Sequence, residues 1–338
     1  MAEPKKRVLS GMRPTGRLHL GNLHGALVNW VALQRRDDLD CFFFSADWHA
    51  LTTGYADTSS IRTDEREMIL DWLAAGLDPV RSTIFVQSAV PEHAELYLLF
   101  GMVTPTPWLE RVPTYKEQQQ ELRDRDLGTH GFLGYPLLQA ADIAAYRASL
   151  VPVGQDQVAH LELTREVLRR FNHLYGELFP EPQPLLTVVP KVIGIDGRKM
   201  SKSYGNSLWL GEEAESTKKK IMGATTDPAR VRRQDKGNPE NCGIFYLHQL
   251  YSSGERVREV DAGCRSAGIG CVDCKKWLLE GLLPAQAELR ERRAAIAAKP
   301  RLVREIVEDG NGRARRAAGE TLEKVREAMK LGPLDEEG

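Results

Sequence analysis

The sequence predicts an α/β chain, with a Rossmann-type parallel-sheet domain first and an all-helical domain after it. Three observations carry that prediction. Short apolar runs alternate with amphipathic helical patterns through the first half, the sign of parallel strands with helices on both faces. The first such run leaves through a Gly-rich turn into a helix. From Glu212 onward there is helical periodicity and no convincing strand pattern.

Strands are expected at Arg7–Ser10, Asp40–Ala46 (with the apolar run around Cys41), Thr83–Gln87 and around Val151–Val153. Helices are expected between them at Leu20–Arg35, Ile61–Ala75 and Asp156–Phe171. In the last of these Val158, Leu161, Val167 and Leu168 share one face. Pro-rich Phe179–Pro184 and the stretch Val188–Asn206 connect this half to the second. There the helical patterns are Cys242–Leu250, Lys275–Ala298 and Gly312–Met329, with Ala317, Leu322, Val325 and Met329 in phase.

At 338 residues the chain has room for about two domains and a large buried core. Its 42% hydrophobic and 28% charged residues are those of an ordinary globular protein. The charged stretch Met1–Arg7 is followed by no apolar signal-like region, and no run approaches the ~18 apolar residues of a membrane span. A cytoplasmic location and no membrane contact are expected. A net charge of −1 argues against a surface that is wholly a nucleic-acid clamp. Between Ser216 and Lys236, however, seven cations (Lys218, Lys219, Lys220, Arg230, Arg232, Arg233, Lys236) face two acids, Asp227 and Asp235. That is a candidate phosphate-contacting patch.

Two segments point to nucleotide chemistry. Leu9-Ser10-Gly11-Met12-Arg13-Pro14-Thr15-Gly16 leaves a strand and turns into the helix near Leu20. A helix N-terminus offers unpaired N–H groups and a positive dipole end to phosphate, and glycine admits the close approach. His19 and Asn22 flank that end. Far downstream, Lys199-Met200-Ser201-Lys202-Ser203 lies between Gly194, Asp196 and Gly197 on one side and Gly205-Asn206 on the other. Two ammonium groups on so mobile a backbone can close over a polyphosphate and neutralise charge on departing pyrophosphate. No nucleophile–His–Asp arrangement is evident.

These segments resemble the HIGH and KMSKS signatures of class I aminoacyl-tRNA synthetases, and the chain resembles the tryptophanyl-tRNA synthetases along nearly its full length. Ser45-Ala46-Asp47-Trp48-His49-Ala50-Leu51-Thr52, Gly134-Tyr135-Pro136-Leu137-Leu138-Gln139-Ala140-Ala141-Asp142-Ile143, Val151-Pro152-Val153-Gly154-Gln155-Asp156-Gln157 and Lys219–Asp227 are similar to further motifs of that family. The resemblance implies two steps. The tryptophan carboxylate attacks the ATP α-phosphorus, giving tryptophanyl-adenylate and pyrophosphate, and tryptophan then passes to the 3′ end of tRNA(Trp). A carboxylate is already ionised at neutral pH, so the first step needs positioning and charge stabilisation and no general base.

The resemblance further implies that Lys199, Lys202, His19 and Asn22 serve catalysis, with Mg2+ accompanying the ATP. ATP would meet Arg13, Thr15, Gly21, Asn22, Gly154, Gln155, Asp156, Val192 and the loop Lys199, Met200, Ser201, Lys202, Ser203. Tryptophan would be held by Asp142 at its indole N–H, by Tyr135, Gln139 and Gln157 near its amino-acid end, and by His49 at the pocket wall. A homodimer is expected, with much of its interface from a 91–179 insertion. The implied division is 1–206 catalytic, 207–300 anticodon-binding, and 301–338 C-terminal helices returning toward the catalytic domain.

Four positions depart from the common bacterial pattern. His19 stands where many members have Thr, Gln139 where Met is frequent, Leu9 where an aromatic is frequent and Arg13 where Gln is. The nearest alternative is a tyrosyl-tRNA synthetase, which usually has a Tyr at the end of the first strand; Leu9 cannot take its place as a hydrogen-bond partner. A synthetase-like regulatory paralogue is a third reading, against which stand the intact Lys199, Lys202 and Asp142.

Of five cysteines, Cys41 sits in a strand pattern. Cys242, Cys264, Cys271 and Cys274 form C-x21-C-x6-C-x2-C, a clustering that in a cytosolic protein favours metal over disulfides. A subset of the family has a similar spacing, one residue longer in the first gap, that binds a [4Fe-4S] cluster. Zinc and unligated thiols are the alternatives.

Overall fold

The computed structural model describes residues 5–112, 127–154, 157–186 and 192–332. Strands β1 (Lys6–Met12), β2 (Leu39–Ser45), β3 (Ser82–Val86), β4 (Leu150–Val153) and β5 (Gln183–Leu186) form one parallel sheet in the order β3-β2-β1-β4-β5. The order turns back between β1 and β4. Open parallel sheets leave a crevice at such a switch point, beyond the carboxyl ends of the strands.

Residues of β2 explain why both sheet faces are covered. Successive side chains on a strand point to opposite faces, so Phe43 joins one buried cluster, with Trp30 and Trp72, while Phe42 and Phe44 join the other. Trp30 stacks on Phe43 at 4.6 Å between centroids, and Phe42 on Tyr146 at 4.7 Å. A strand buried on both faces reads as a continuous apolar run.

Helix α1 spans 20–33 and opens to a wider, π-type turn at Leu23–Leu27. Around the sheet follow α2 (Asp47–Gly54), α3 (Ile61–Ala75), α4 (Glu92–Val103), α5 (Thr106–Glu110), α6 (His130–Ala145) and α7 (Val158–Tyr175). The second half is built from α8 (Ala214–Gly223), α9 (Gly243–Tyr251), α10 (Gly254–Arg265), α11 (Cys271–Ala297) and α12 (Pro300–Ala328).

The expected strands lie within two residues of those found, apart from β5, which falls in what reads as a Pro-rich connection. It is a short edge strand in which Pro184 pairs with Val151, and an edge is where proline is tolerated. Helix α12 begins at Pro300 rather than Gly312; a proline at the first helical position starts the helix through a charged stretch with little apolar phase. Helix α11 begins four residues before Lys275, which puts Cys271 and Cys274 in its first turn.

Helix α12 crosses the β3 edge of the sheet. Gly310 lies against the Ile84 carbonyl, and the Val86 N–H donates to Asn311 Oδ1 at 2.9 Å. Ala314, Ala318, Leu322 and Val325 are buried in the same cluster as Phe85 and Leu96. The other cluster runs from Val8 and Trp30 through Ile244 and Leu278 to Val303, so the core continues from the sheet into the helical half.

Candidate active site

At the β1/β4 switch point lies a cavity of about 410 Å³. Its floor is made by Leu9 to Arg13 and Val151 to Gly154, and its walls include His49, Tyr135, Gln139, Asp142 and Gln157. The residues expected from sequence to hold the amino acid therefore meet in one place, although they come from α2, α6 and the start of α7. Tyr135 Oη lies 3.0 Å from His160 Nε2, and His160 Nδ1 2.8 Å from Gln157 Oε1, which links two of them through a buried histidine.

Asp142, on the buried face of α6, is 1% exposed. Its Oδ2 lies 2.8 Å from His49 Nε2; its Oδ1 takes Gln87 Nε2 at 2.7 Å and His93 Nδ1 at 2.6 Å. Burial acts to raise the carboxyl pKa, but the charge and hydrogen bond of His49 and the hydrogen bond of His93 outweigh it and hold the group down at about 2. The carboxylate is thus ionised at neutral pH in a nearly dry site.

The start of α1 is closed by a reciprocal cap. His19 Nδ1 accepts the Asn22 backbone N–H at 3.3 Å, while Asn22 Oδ1 accepts the His19 N–H at 3.0 Å. Burial, then the nearby Lys202, lowers the His19 pKa to about 4. The ring is neutral, and with Nδ1 accepting, its proton resides on Nε2 as a donor. Part of the polar capacity that the sequence assigns to ligand is accordingly spent on building the helix end. Gly21 is needed for close approach: a Cβ there would lie 2.8 Å from the His19 ring and 3.7 Å from Met200 Cβ.

The Lys199–Ser203 loop is tied to this end of α1. Lys202 Nζ donates to the Thr15 carbonyl and lies 3.2 Å from Thr15 Oγ1, and it sits 5.9 Å from the Trp209 ring centroid. Burial lowers its pKa, with Asp64 and Asp71 acting in the other direction. Asn206, 1% exposed, organises the loop: its Oδ1 accepts Ser201 N–H at 2.8 Å, and its Nδ2 donates to Asp196 Oδ1 and the Lys199 carbonyl. Val192 is buried and accepts the Met200 N–H at 2.8 Å. Lys199 is exposed. Gln155 and Asp156 lie outside the described residues.

Beneath the same turn, Asp71 of α3 is buried. Its Oδ2 accepts the Leu18 N–H at 3.0 Å and its Oδ1 accepts Arg293 Nε at 2.6 Å, with Arg293 also paired to Glu67. Burial pushes the Asp71 carboxyl up, the Leu18 and Arg293 hydrogen bonds opposing it. One carboxylate thus joins the segment before His19 to helix α11.

Comparison with known proteins decides the family. The model for tRNA synthetases class I (W and Y) matches residues 1–282. A tryptophan–tRNA ligase from Thermotoga maritima is 54% identical, over 96% of this chain and 99% of its own length, and one from Ralstonia nicotianae is 46% identical, over 96% and 98%. The crystal structure of a Campylobacter jejuni tryptophanyl-tRNA synthetase complexed with ADP and tryptophan is similar at a TM-score of 0.85 and 33% identity, covering 96% of this chain and all of that one.

The chain belongs to the tryptophanyl-tRNA synthetase family. It is a class I aminoacyl-tRNA synthetase, a tryptophan–tRNA ligase.

Several features of this synthetase carry no sequence signal. Gln87, His93 and Tyr146 belong to no recognisable local pattern, and only the fold brings Gln87 and His93 onto Asp142 and Tyr146 onto His93. In the cationic segment, two of the seven charges are structural. Lys220 pairs with Glu212 at 2.6 Å, and Arg230 donates to the Arg233 and Ile269 carbonyls. Lys218, Lys219, Arg232, Arg233 and Lys236 are exposed. Among the described residues no helix is long and apolar enough to cross a membrane.

The four cysteines of the synthetase's helical half gather at one corner. Cys242 caps α9, Cys264 is near the end of α10, and Cys271 and Cys274 lie in the first turn of α11. Burial, then the neighbouring Cys242, Cys271 and Cys264, push the Cys274 thiol up to about 12. Gly237 makes room there, since a Cβ would lie 2.6 Å from Cys264 Sγ, and Arg230 Nη1 is 3.9 Å from that sulfur. Among the described residues, no three His, Cys, Asp or Glu side chains are disposed to hold a single metal ion.

Proposed function

We propose that the β1/β4 cavity binds L-tryptophan and that ATP lies across its mouth, between the Arg13–Asn22 turn and the Lys199–Ser203 loop. The observation that carries this reading is Asp142, an ionised carboxylate at a nearly dry cavity wall. A buried carboxylate that accepts the substrate's indole N–H discriminates against a ring without that donor, because its acceptor site facing the cavity would then be buried unfilled. Tyr135, Gln139 and Gln157 take the amino-acid end, and His49 lines the ring.

Arg13, Thr15, Gly21, Asn22, Gly154, Gln155, Asp156, Val192 and the loop Lys199, Met200, Ser201, Lys202, Ser203 hold ATP, whose phosphates bring Mg2+. In the first step a bond forms from the tryptophan carboxylate oxygen to the α-phosphorus, and the bond to the bridging α–β oxygen breaks. Pyrophosphate departs with the electron pair. Lys202 and Lys199 meet the charge on that leaving group, and neutral His19 offers its Nε2–H. A hydroxyl oxygen of the terminal ribose of tRNA(Trp) then bonds to the tryptophanyl carbonyl carbon as the anhydride bond to AMP breaks and AMP leaves, with the exposed cations between Lys218 and Lys236 as the tRNA phosphate contacts. We read 207–300 as the anticodon-binding part, and the protein as a cytoplasmic homodimer whose α4 brings the exposed Leu98 and Met102 to the interface.

Cys242, Cys264, Cys271 and Cys274 would hold a [4Fe-4S] cluster, a reading supported by the all-thiol donor set at one corner of the helical half. Zinc is the alternative for the same four thiolates. The metal's contribution in the helical half would be structural or in tRNA contact. ATP–pyrophosphate exchange with tryptophan and with tyrosine tests the reading: exchange should depend on tryptophan, and equal exchange with tyrosine overturns the assignment of Asp142.

A further inference from the structure

We infer that His93 is a positioning residue for selection of the substrate ring. Clamped between Asp142 and Tyr146, it fixes the Asp142 carboxylate from behind, so that Oδ2 is the oxygen left with an open acceptor site toward the cavity. The inference rests on the reading that Asp142 accepts the indole N–H.

The hydrogen bonds to Asp142 divide by side. A carboxylate has about four lone-pair positions. Two on Oδ1 are filled, by Gln87 Nε2 at 2.7 Å and His93 Nδ1 at 2.6 Å. Neither Gln87 nor His93 lines the cavity. On Oδ2 the partner is His49 at 2.8 Å, and His49 does line it. The substrate N–H therefore comes to Oδ2 beside His49, with Oδ1 serving as the anchor.

His93 itself is fully buried, as is Tyr146, whose Oη lies 2.7 Å from His93 Nε2. An ionised carboxylate can only accept, so Nδ1 of His93 carries a proton and donates it. The buried Tyr146 hydroxyl, held neutral as burial and then the Asp142 charge push its pKa up, donates to Nε2. Every hydrogen in the chain Tyr146 to His93 to Asp142 then has one direction, and the ring cannot turn without breaking both bonds. Phe44 and Phe85 pack on the His93 ring at centroid distances of 6.1 and 6.0 Å. The titratable groups facing Asp142 are His49 from α2 and His93 from α4. Glu92, facing Tyr146, is itself paired with Arg315 at 3.4 Å.

The test is tryptophan-dependent pyrophosphate exchange from pH 5.5 to 8.5 in His93→Leu and His93→Asn. It is run with L-tryptophan and with its benzothienyl isostere, in which sulfur replaces the indole N–H. His93→Leu withdraws the donor that anchors Oδ1, so the carboxylate is free to turn and Oδ2 is no longer held toward the cavity. The expected result is a KM for tryptophan raised roughly 10- to 100-fold, the loss of one hydrogen bond to a charged group. That KM is raised across the whole pH range while kcat changes little, and preference for tryptophan over the isostere shrinks with it. His93→Asn, whose Nδ2 can replace the Nδ1 donor, restores the KM and the preference of the parent enzyme.

A raised KM with unchanged preference between tryptophan and the isostere in His93→Leu, or no rescue in His93→Asn, overturns the inference and leaves His93 a packing residue. If that variant does not fold, His93→Gln, which reaches Tyr146 but lacks the Nδ1 donor, is read by the same criteria. Failure of the underlying reading is distinguishable, because Asp142→Asn would then leave tryptophan affinity unchanged.

Discussion

Lys202→Ala should lower the rate of adenylate formation about 100-fold while tryptophan affinity stays near that of the parent protein. The magnitude follows from where the ammonium rests. A unit charge meeting another at 4 Å gains about 4 kcal/mol at the effective dielectric of a partly buried site. Lys202 is not idle before the reaction, however. Its Nζ donates to the Thr15 carbonyl and lies 3.2 Å from Thr15 Oγ1, and leaving that position for the departing pyrophosphate costs about 1–2 kcal/mol. The net is about 2–3 kcal/mol of stabilisation confined to the transition state, and 1.36 kcal/mol is tenfold in rate. Single-turnover adenylate formation at saturating ATP and tryptophan reads the chemical step, and calorimetric titration with tryptophan reads binding. A rate within threefold of the parent would refute the role of the ammonium. Loss of tryptophan affinity to the same degree as rate would show that Lys202 supports the ground state.

Asp142→Asn should weaken tryptophan binding by about 2–3 kcal/mol, the range for a hydrogen bond to a charged group, measured calorimetrically. Arg293→Met should cost about 3–5 kcal/mol of stability in urea unfolding near pH 7.5, because it strands the buried Asp71 charge. The Asp71 pKa, already raised by burial, rises further in that variant, so its deficit should shrink toward pH 5 as the carboxyl takes up a proton. Glu65→Gln should stabilise the protein at pH 8 but not at pH 4.5. Burial raises the Glu65 pKa from 4.5 to about 7, so its contribution is present below 4.5 and lost as pH rises through 7, a difference on the order of 2 kcal/mol. Cys274→Ala should abolish iron, acid-labile sulfide and visible absorption in protein prepared without oxygen, while exchange activity persists. Colourless anaerobic parent protein without stoichiometric iron would remove the cluster from the account.

The sequence by itself determined what local chemistry can write down. Apolar runs at Cys41–Phe44 and Ile84–Val86 mark strands that must be covered on both faces. The Gly16-to-Asn22 turn marks a helix end, and Lys199–Ser203 marks a loop with two cations to place. In each case the physical signal lies within a few consecutive residues: periodicity, a cap, or a glycine. Asp142 was legible as a candidate through its neighbours Ala140 to Ile143. Edge strand β5 was not, since four half-exposed residues carry too short a period to read.

Tertiary structure alone decided which groups meet. His93 and Gln87 come from the loop and helix after β3, and Tyr146 from the end of α6. Nothing in their local sequence says that they converge on one carboxylate and fix which of its oxygens remains open. Likewise Arg293 reaches Asp71 across 222 residues, and Lys202 reaches Thr15 across 187. The physical reason is common to all of them. Desolvation makes a charge depend on every donor around it, and those donors are gathered by packing from segments whose separation in the chain carries no record of their distance in space.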